Sequence, residues 1–263
     1  MNLKLDNKFA IVCASTKGLG FAVAKSLLNE GCEVLICSSK EANISRANEI
    51  LSNEGLKNFH SLKVDLSTNE GVVKLFKFAV SKSKRIDILV NNCGGPDQGT
   101  FDDVNEEQLI NAFNKNLKNI FTLTKLVLPI MKANNWGRIV NITSTSAKQP
   151  IDSLILSNIM RSATTSFSKS ISNEYARFNI MVNNVLPGRI LTDRILQISE
   201  LKSKESGIDK RDILEALGQD LPIGRIGNPE EFAPIVTFLC SEMSSYITGN
   251  SINVDGGLVK SLF

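Results

Sequence analysis

Gly18 and Gly20 stand two residues apart, directly after an apolar run at residues 9–13 and ahead of Leu19, Val23 and Leu27 at a spacing of four. A short apolar run of this kind suits a buried parallel strand, and the spacing of four is helical. Glycines at such a junction let the backbone turn tightly and approach a ligand, while the unpaired N–H groups opening the helix favour a diphosphate. Ala14, Ser15, Lys17, Gly18, Leu19 and Gly20 are therefore candidate contacts for a dinucleotide. The bland alternative is a helix packed closely on a sheet, and the position of a first motif glycine is Ala14.

A second strand at residues 33–37 ends where an acid would accept the ribose 2′-hydroxyl of NAD. The chain reads Ser38, Ser39, Lys40 there, and Lys17 precedes Gly18. Two lysines and two hydroxyl donors suit a 2′-phosphate, so NADP(H) is expected over NAD(H) unless both lysines are only solvated charges.

The remaining chemistry-bearing residues fall at strand ends or interrupt helices. Asp65 and Leu66 follow a strand at residues 59–64, where Asp65 would contact an adenine edge or cap the next helix. Asn92, Cys93 and Gly94 follow a strand at residues 86–90, in a loop where Asn91 and Asn92 could also tie strands together. Asn116 interrupts a long helix at residues 106–133 whose expected buried positions include Phe113, Leu117, Phe121 and Leu128. Ser144 lies in a hydroxyl-rich run after a strand at residues 137–142. Ser157 and Arg161 share one face of a helix at residues 156–178, and Pro187 and Gly188 close a strand at residues 180–185. A final helix at residues 229–242 and a strand at residues 251–254 complete the alternation, with Asp255 and two glycines beyond. Strand–helix alternation of this length predicts an α/β fold. It is a single-domain, Rossmann-like, doubly wound parallel sheet of about seven strands with helices on both faces. Open sheets of this kind bind ligands outside the carboxyl ends of their strands.

The 263 residues suit one large domain, residues 1–263, without repeats or linkers. Residues 189–222, with Lys202, Lys204, Glu205, Lys210, Arg211 and Asp212, are expected either to cover a substrate or to form a solvated surface helix. A net charge of +3 without a basic block, and 6% aromatic residues, argue against nucleic acid as a partner. No apolar stretch suits a membrane span or a leader, so a cytoplasmic location with no membrane partner is expected. The five cysteines are scattered and include no CxxC pair, and His60 is the one histidine, so no metal site is expected. His60 is expected to be structural or at the surface.

Together these motifs resemble the short-chain dehydrogenase/reductase family over essentially the whole chain. The family's TGxxxGxG turn is similar to residues 13–20, and its NNAG loop to Asn91, Asn92, Cys93 and Gly94. Its helix asparagine matches Asn116, its strand-end serine Ser144, and its later PG turn with a threonine Pro187, Gly188 and Thr192. The resemblance implies a seven-stranded sheet and a homotetramer. It also places a basic residue before the second motif glycine in NADP-preferring members, which is Lys17 here.

The likeness breaks at the reacting centre. The family has a tyrosine 13 residues after the catalytic serine and a lysine four further on; counted from Ser144, these positions are Ser157 and Arg161. The family tyrosine, a phenol of pKa ~10 tuned downward, protonates the carbonyl oxygen as hydride arrives. A serine is shorter and far less acidic, and an arginine cannot deprotonate to shuttle protons. Tyr175 and Tyr246 are the other phenols, and nothing in the sequence brings either to the site. The expected function is an NADP(H)-dependent oxidoreductase acting on a small-molecule carbonyl or alcohol. Ser144 and Arg161 would polarise the carbonyl, Asn116 would hold a water, and Ser157 would matter little. A dinucleotide-binding protein without turnover is the main alternative; a lyase or epimerase on the same scaffold is the third.

Overall fold

Strand β1, Phe9–Val12, is buried at all four residues, as a central parallel strand covered on both faces must be. Its side chains divide by the two-residue period of a strand. Ala10 and Val12 join one core with Val23, Leu27, Ala47, Leu51, Phe232 and Val236. Phe9 and Ile11 join the other with Val72, Leu75, Leu123, Val127 and Ile171. Burying each such Leu or Ile contributes roughly 1.5–3 kcal/mol. The computed structural model describes residues 1–262, apart from the side chain of Glu205.

The chain alternates as the sequence predicts. β1 leads to α1 (Gly18–Asn29), β2 (Glu33–Ser38), α2 (Glu41–Asn53), β3 (Phe59–Lys63), α3 (Asn69–Lys82) and β4 (Ile88–Asn91). Then come α4 (Glu106–Phe113), α5 (Asn119–Ala133), β5 (Gly137–Ile142), α6 (Ile155–Tyr175) and β6 (Ile180–Pro187). Helices α7 (Asp193–Ser206), α8 (Lys210–Gln219) and α9 (Pro229–Leu239) precede β7 (Ser251–Val254). All seven strands form one parallel sheet in the order β3-β2-β1-β4-β5-β6-β7. The order reverses between β1 and β4, which is where a doubly wound sheet opens its crevice. No helix among the described residues is long and apolar enough to cross a membrane.

Two expectations are corrected. The helix expected at residues 106–133 is interrupted by a π-helical turn, Asn114–Lys118, and Phe113 and Phe121 are 43% and 48% exposed rather than buried. The wide turn rotates the residues around it, so a single 3.6-residue stripe no longer describes both halves. Asp65 does not cap α3: Thr68 does, accepting from Gly71 N at 3.0 Å, while Asp65 Oδ1 accepts from Ser67 N at 2.9 Å. Residues 189–222 hold two helices, α7 and α8, with Gly207 in the left-handed region between them. His60 lies on β3, with its Nε2 2.7 Å from Glu33 Oε1 on β2.

Candidate active site

The carboxyl ends of β1, β4, β5 and β6 bring the sequence-predicted residues to one edge of the sheet. At β1, Gly18 has φ +57 and Gly20 has no room for a side chain. A Cβ on Gly20 would lie 2.5 Å from Ala14 O and 2.6 Å from Asn92 Nδ2. Asn92 Nδ2 donates to Ala14 O at 3.1 Å, which ties the β4 loop to the turn. Ala14 itself has φ +46, a conformation that favours glycine. Ser15 is fully buried, donating to Val12 O and accepting from Cys37 N, so it fixes β1 against β2. Lys17 precedes α1 without capping it, leaving the first-turn N–H groups for a ligand. Its Nζ instead pairs with Asp193 Oδ2, and that contact lowers the Asp193 carboxyl below its ordinary range. The charge of Arg46 on α2 lowers it a little further. Ser39 and Lys40 are exposed at the end of β2.

A second group meets at β4, the π-helical turn and α6. Asn116, fully buried, donates from Nδ2 to Gly94 O at 2.7 Å and to Cys93 Sγ at 3.1 Å. Arg161, on the buried face of α6, donates from Nη1 to Cys93 Sγ and Ile142 O at 3.3 Å and from Nη2 to Cys93 O at 3.4 Å. Three buried polar atoms here have no partner: Asn116 Oδ1, Arg161 Nε and Thr143 Oγ1. Buried polar atoms are rarely left unpaired, so this edge fits a polar ligand lying across the strand ends. Ser144 Oγ accepts from Ser146 N at 3.1 Å, and Ser157 Oγ lies 3.3 Å from Ser146 Oγ.

Thr192 and the first turn of α7 close over this edge. A Cβ on Gly18 would meet Thr192 Cγ2 at 3.5 Å, and Arg194 Nη2 donates to Pro96 O at 3.1 Å. Gly188 N donates to Val254 O at 3.0 Å, which holds the turn after β6 against β7. Tyr246 is fully exposed, and Tyr175 stacks near Phe178 at the far end of α6. Tyr175 lies fourteen positions beyond Arg161 on α6, a rise of about 21 Å. Among the described residues no three His, Cys, Asp or Glu side chains gather as metal ligands.

Beneath the site runs a line of buried amides that the sequence reading did not assemble. Asn91 Nδ2 donates to Asn141 Oδ1 at 2.7 Å, and Asn141 Nδ2 to Ser168 Oγ at 2.8 Å. Ser168 Oγ lies 2.6 Å from Asn184 Oδ1, and Asn184 Nδ2 donates to Ser251 Oγ at 3.2 Å. The parallel register aligns Asn91, Asn141, Asn184 and Ser251 across four strands. Ser146, Arg46 and Arg194 were likewise not singled out. Asn91 and the hydroxyl run containing Ser146 were visible signals; Arg194, two residues past Thr192, was a weaker one.

A family model described as Enoyl-(Acyl carrier protein) reductase matches residues 13–259. The NADPH-dependent reductase BacG of Bacillus subtilis is 33% identical, over 98% of this chain and 100% of its own length. Dehydrogenase/reductase SDR family member 4 of Bos taurus is 36% identical, over 98% of this chain and 89% of its own. L-Sorbose reductase from Gluconobacter frateurii, solved with NADPH and L-sorbose, is 29% identical and superposes with a TM-score of 0.95 over the whole of both chains. The chain belongs to the short-chain dehydrogenase/reductase family.

Proposed function

We propose that the chain is an NADP(H)-dependent oxidoreductase that moves hydride between the nicotinamide and a carbonyl or alcohol substrate, using proton-donor machinery altered from the family pattern. The observation that carries this reading is the convergence of Asn116, Cys93 and Arg161 at 2.7–3.4 Å beside Ser144, with three unpaired polar atoms left over. Ser157 and Arg161 occupy the family's tyrosine and lysine positions when counted from Ser144. The remoteness of Tyr175 and Tyr246 supports the absence of a phenolic donor.

When bound, the reduced dinucleotide supplies a hydride to the carbonyl carbon. Ser144 Oγ accepts from Ser146 N, so its own proton is free for the carbonyl oxygen. Arg161 holds ribose hydroxyls, and its permanent charge stabilises a developing alkoxide. Asn116 Oδ1 accepts from the water that supplies the proton. Ala14, Ser15, Gly18, Leu19 and Gly20 form the diphosphate turn, with Ser15 acting by fixing its shape. Lys17, Ser38, Ser39 and Lys40 face the 2′-phosphate, and Asp65 and Leu66 the adenine. Asn92, Cys93, Gly94, Pro187, Gly188 and Thr192 line the nicotinamide half. Residues 189–222 cover the substrate within a single domain. The exposed Leu109, Ile110, Phe113, Phe121 and Ile159 support self-association, consistent with a homotetramer.

The test is a parallel titration with NADPH and NADH. Selective NADPH binding that weakens in Lys17→Ala supports the reading; no binding of either nucleotide at millimolar concentration sinks it. The placement of both tyrosines away from the site favours one second reading, a dinucleotide-binding protein without turnover. Stereospecific deuteride transfer from labelled NADPH to any carbonyl compound rules that out.

A further inference from the structure

Two guanidinium groups flank the loop after β4, and among the described residues neither forms an ion pair. Arg161 is 5% exposed, and its Nε has no acceptor. Arg194 reaches the same loop from the first turn of α7. Its Nη2 donates to Pro96 O at 3.1 Å, and Nε and Nη2 lie 3.5 Å from where a Gly95 Cβ would sit. Burial lowers the Arg194 pKa from its ordinary value; Asp97 opposes this, and the charge of Arg161 lowers it further. The exposed Asp97 acts on Arg194 through space but forms no ion pair with either guanidinium among the described residues.

Space lies open beside them. A Cβ built on Gly94 would meet nothing within 4 Å, although Gly94 O is held by Asn116. A buried cation without an ion-pair partner, as Arg161 is, is costly, and the half-buried Arg194 adds a second positive charge to the same loop. The geometry asks for an anion. A guanidinium presents parallel N–H donors that match the two oxygens of a carboxylate.

We propose that the substrate is an oxyanion-bearing carbonyl compound, an oxo acid, whose carboxylate docks over Gly94 and Gly95 between Arg194 and Arg161 with its carbonyl turned toward Ser144. This rests on the oxidoreductase reading above. In the reductive direction the carbonyl carbon gains the hydride of NADPH and the oxygen gains a proton from water. The C=O π bond is replaced by C–H and O–H bonds, giving a hydroxy acid, NADP⁺ and hydroxide. A phosphorylated carbonyl compound offers the same oxyanion chemistry.

The experiment has a binding arm and a turnover arm. In the first, wild type and Arg194→Gln are saturated with NADP⁺ and melted with 2-oxobutyrate, 3-oxobutyrate, their methyl esters, or inorganic phosphate. Either oxo acid is expected to raise the melting temperature while its ester does not. In Arg194→Gln the half-saturating concentration should rise about ten-fold or more, with NADP⁺ affinity unchanged. In the turnover arm, kcat/KM for acid over ester should be about ten-fold or more in wild type and near parity in the variant, chiefly through KM. Stabilisation by phosphate that also depends on Arg194 supports the oxyanion site and points to a phosphorylated substrate. Equal effects of acid and ester, no shift with any anion, or an acid preference that survives Arg194→Gln overturns the proposal. An Arg194-dependent melting shift without NADPH consumption upholds the oxyanion site, whereas the oxidoreductase reading falls on the nucleotide titration above, so the two fail separately.

Discussion

Lys17 Nζ lies 2.5 Å from Asp193 Oδ2, joining the residue before α1 to the first turn of α7. The lysine proposed to meet a 2′-phosphate is thus already held by a carboxylate, and on that proposal ligand and acid compete for it. Both side chains are more than half exposed, so the pair is worth at most about 1 kcal/mol. Asp193→Asn removes the competitor and a nearby negative charge. NADPH should then bind up to about five-fold more tightly, while NADH is unaffected. Fluorescence titration of both nucleotides checks this, and weaker NADPH binding in the variant would count against Lys17 as a phosphate ligand.

Arg161 and Ser157 share a helix face but not an energetic role. Arg161 reaches Cys93 and Ile142 with a permanent charge, whereas the Ser157 hydroxyl meets Ser146 at 3.3 Å. Removing a charge that stabilises a developing alkoxide costs about 10²- to 10³-fold in kcat. Losing one neutral hydroxyl contact costs about 1 kcal/mol, or up to about five-fold. Steady-state rates of Arg161→Ala and Ser157→Ala should separate accordingly; turnover retained in the arginine variant would remove its assigned role.

The strands were legible because a parallel strand covered on both faces is predominantly apolar, as at β1. The glycine turn was legible because only glycine at position 20 lets Ala14 and Asn92 approach so closely. The π-helical turn at Asn116 was not, because one wide turn leaves no repeating pattern of its own. Arg194, Arg46 and Ser146 escaped for another reason. Their partners lie on other elements, and polar residues on short local patterns carry no sign of what a distant loop will bring beside them. Phe113 and Phe121 show the converse, since apolar residues at helical spacing announce a face without saying whether this chain or another covers it.

Glu231 gives a pH dependence of known sign. Its carboxylate accepts from both arms of Arg225 at 2.6 and 2.8 Å and from Asn228 N, which lowers its pKa to about 2. Unfolded, it would titrate near ~4.3. A depressed carboxylate contributes stability that is complete above the unfolded pKa and is lost as pH falls through the folded one. Melting curves of wild type and Glu231→Gln should differ at neutral pH and converge between about pH 4.3 and 2. A constant difference across that range would show that the Glu231 contacts to Arg225 and Asn228 do not depend on the charge.

Ala14 is the place where the turn carries strain that a single atom decides. Its φ of +46 brings a Cβ against the backbone, at a cost of roughly 1–2 kcal/mol in an L-residue. The conformation is imposed from outside: Asn92 holds Ala14 O, and Gly20 passes directly beneath it. Ala14→Gly releases the strain but adds freedom to the unfolded chain, which returns about 0.4–1 kcal/mol. The balance favours glycine by up to about 1.6 kcal/mol, a rise of up to roughly 3–6 °C in melting temperature. The turn keeps its shape in either variant, because its neighbours and not residue 14 define it, so nucleotide affinity should be unchanged. A lower melting temperature in Ala14→Gly would mean that the methyl group packs usefully against the site and that the left-handed backbone is not under strain.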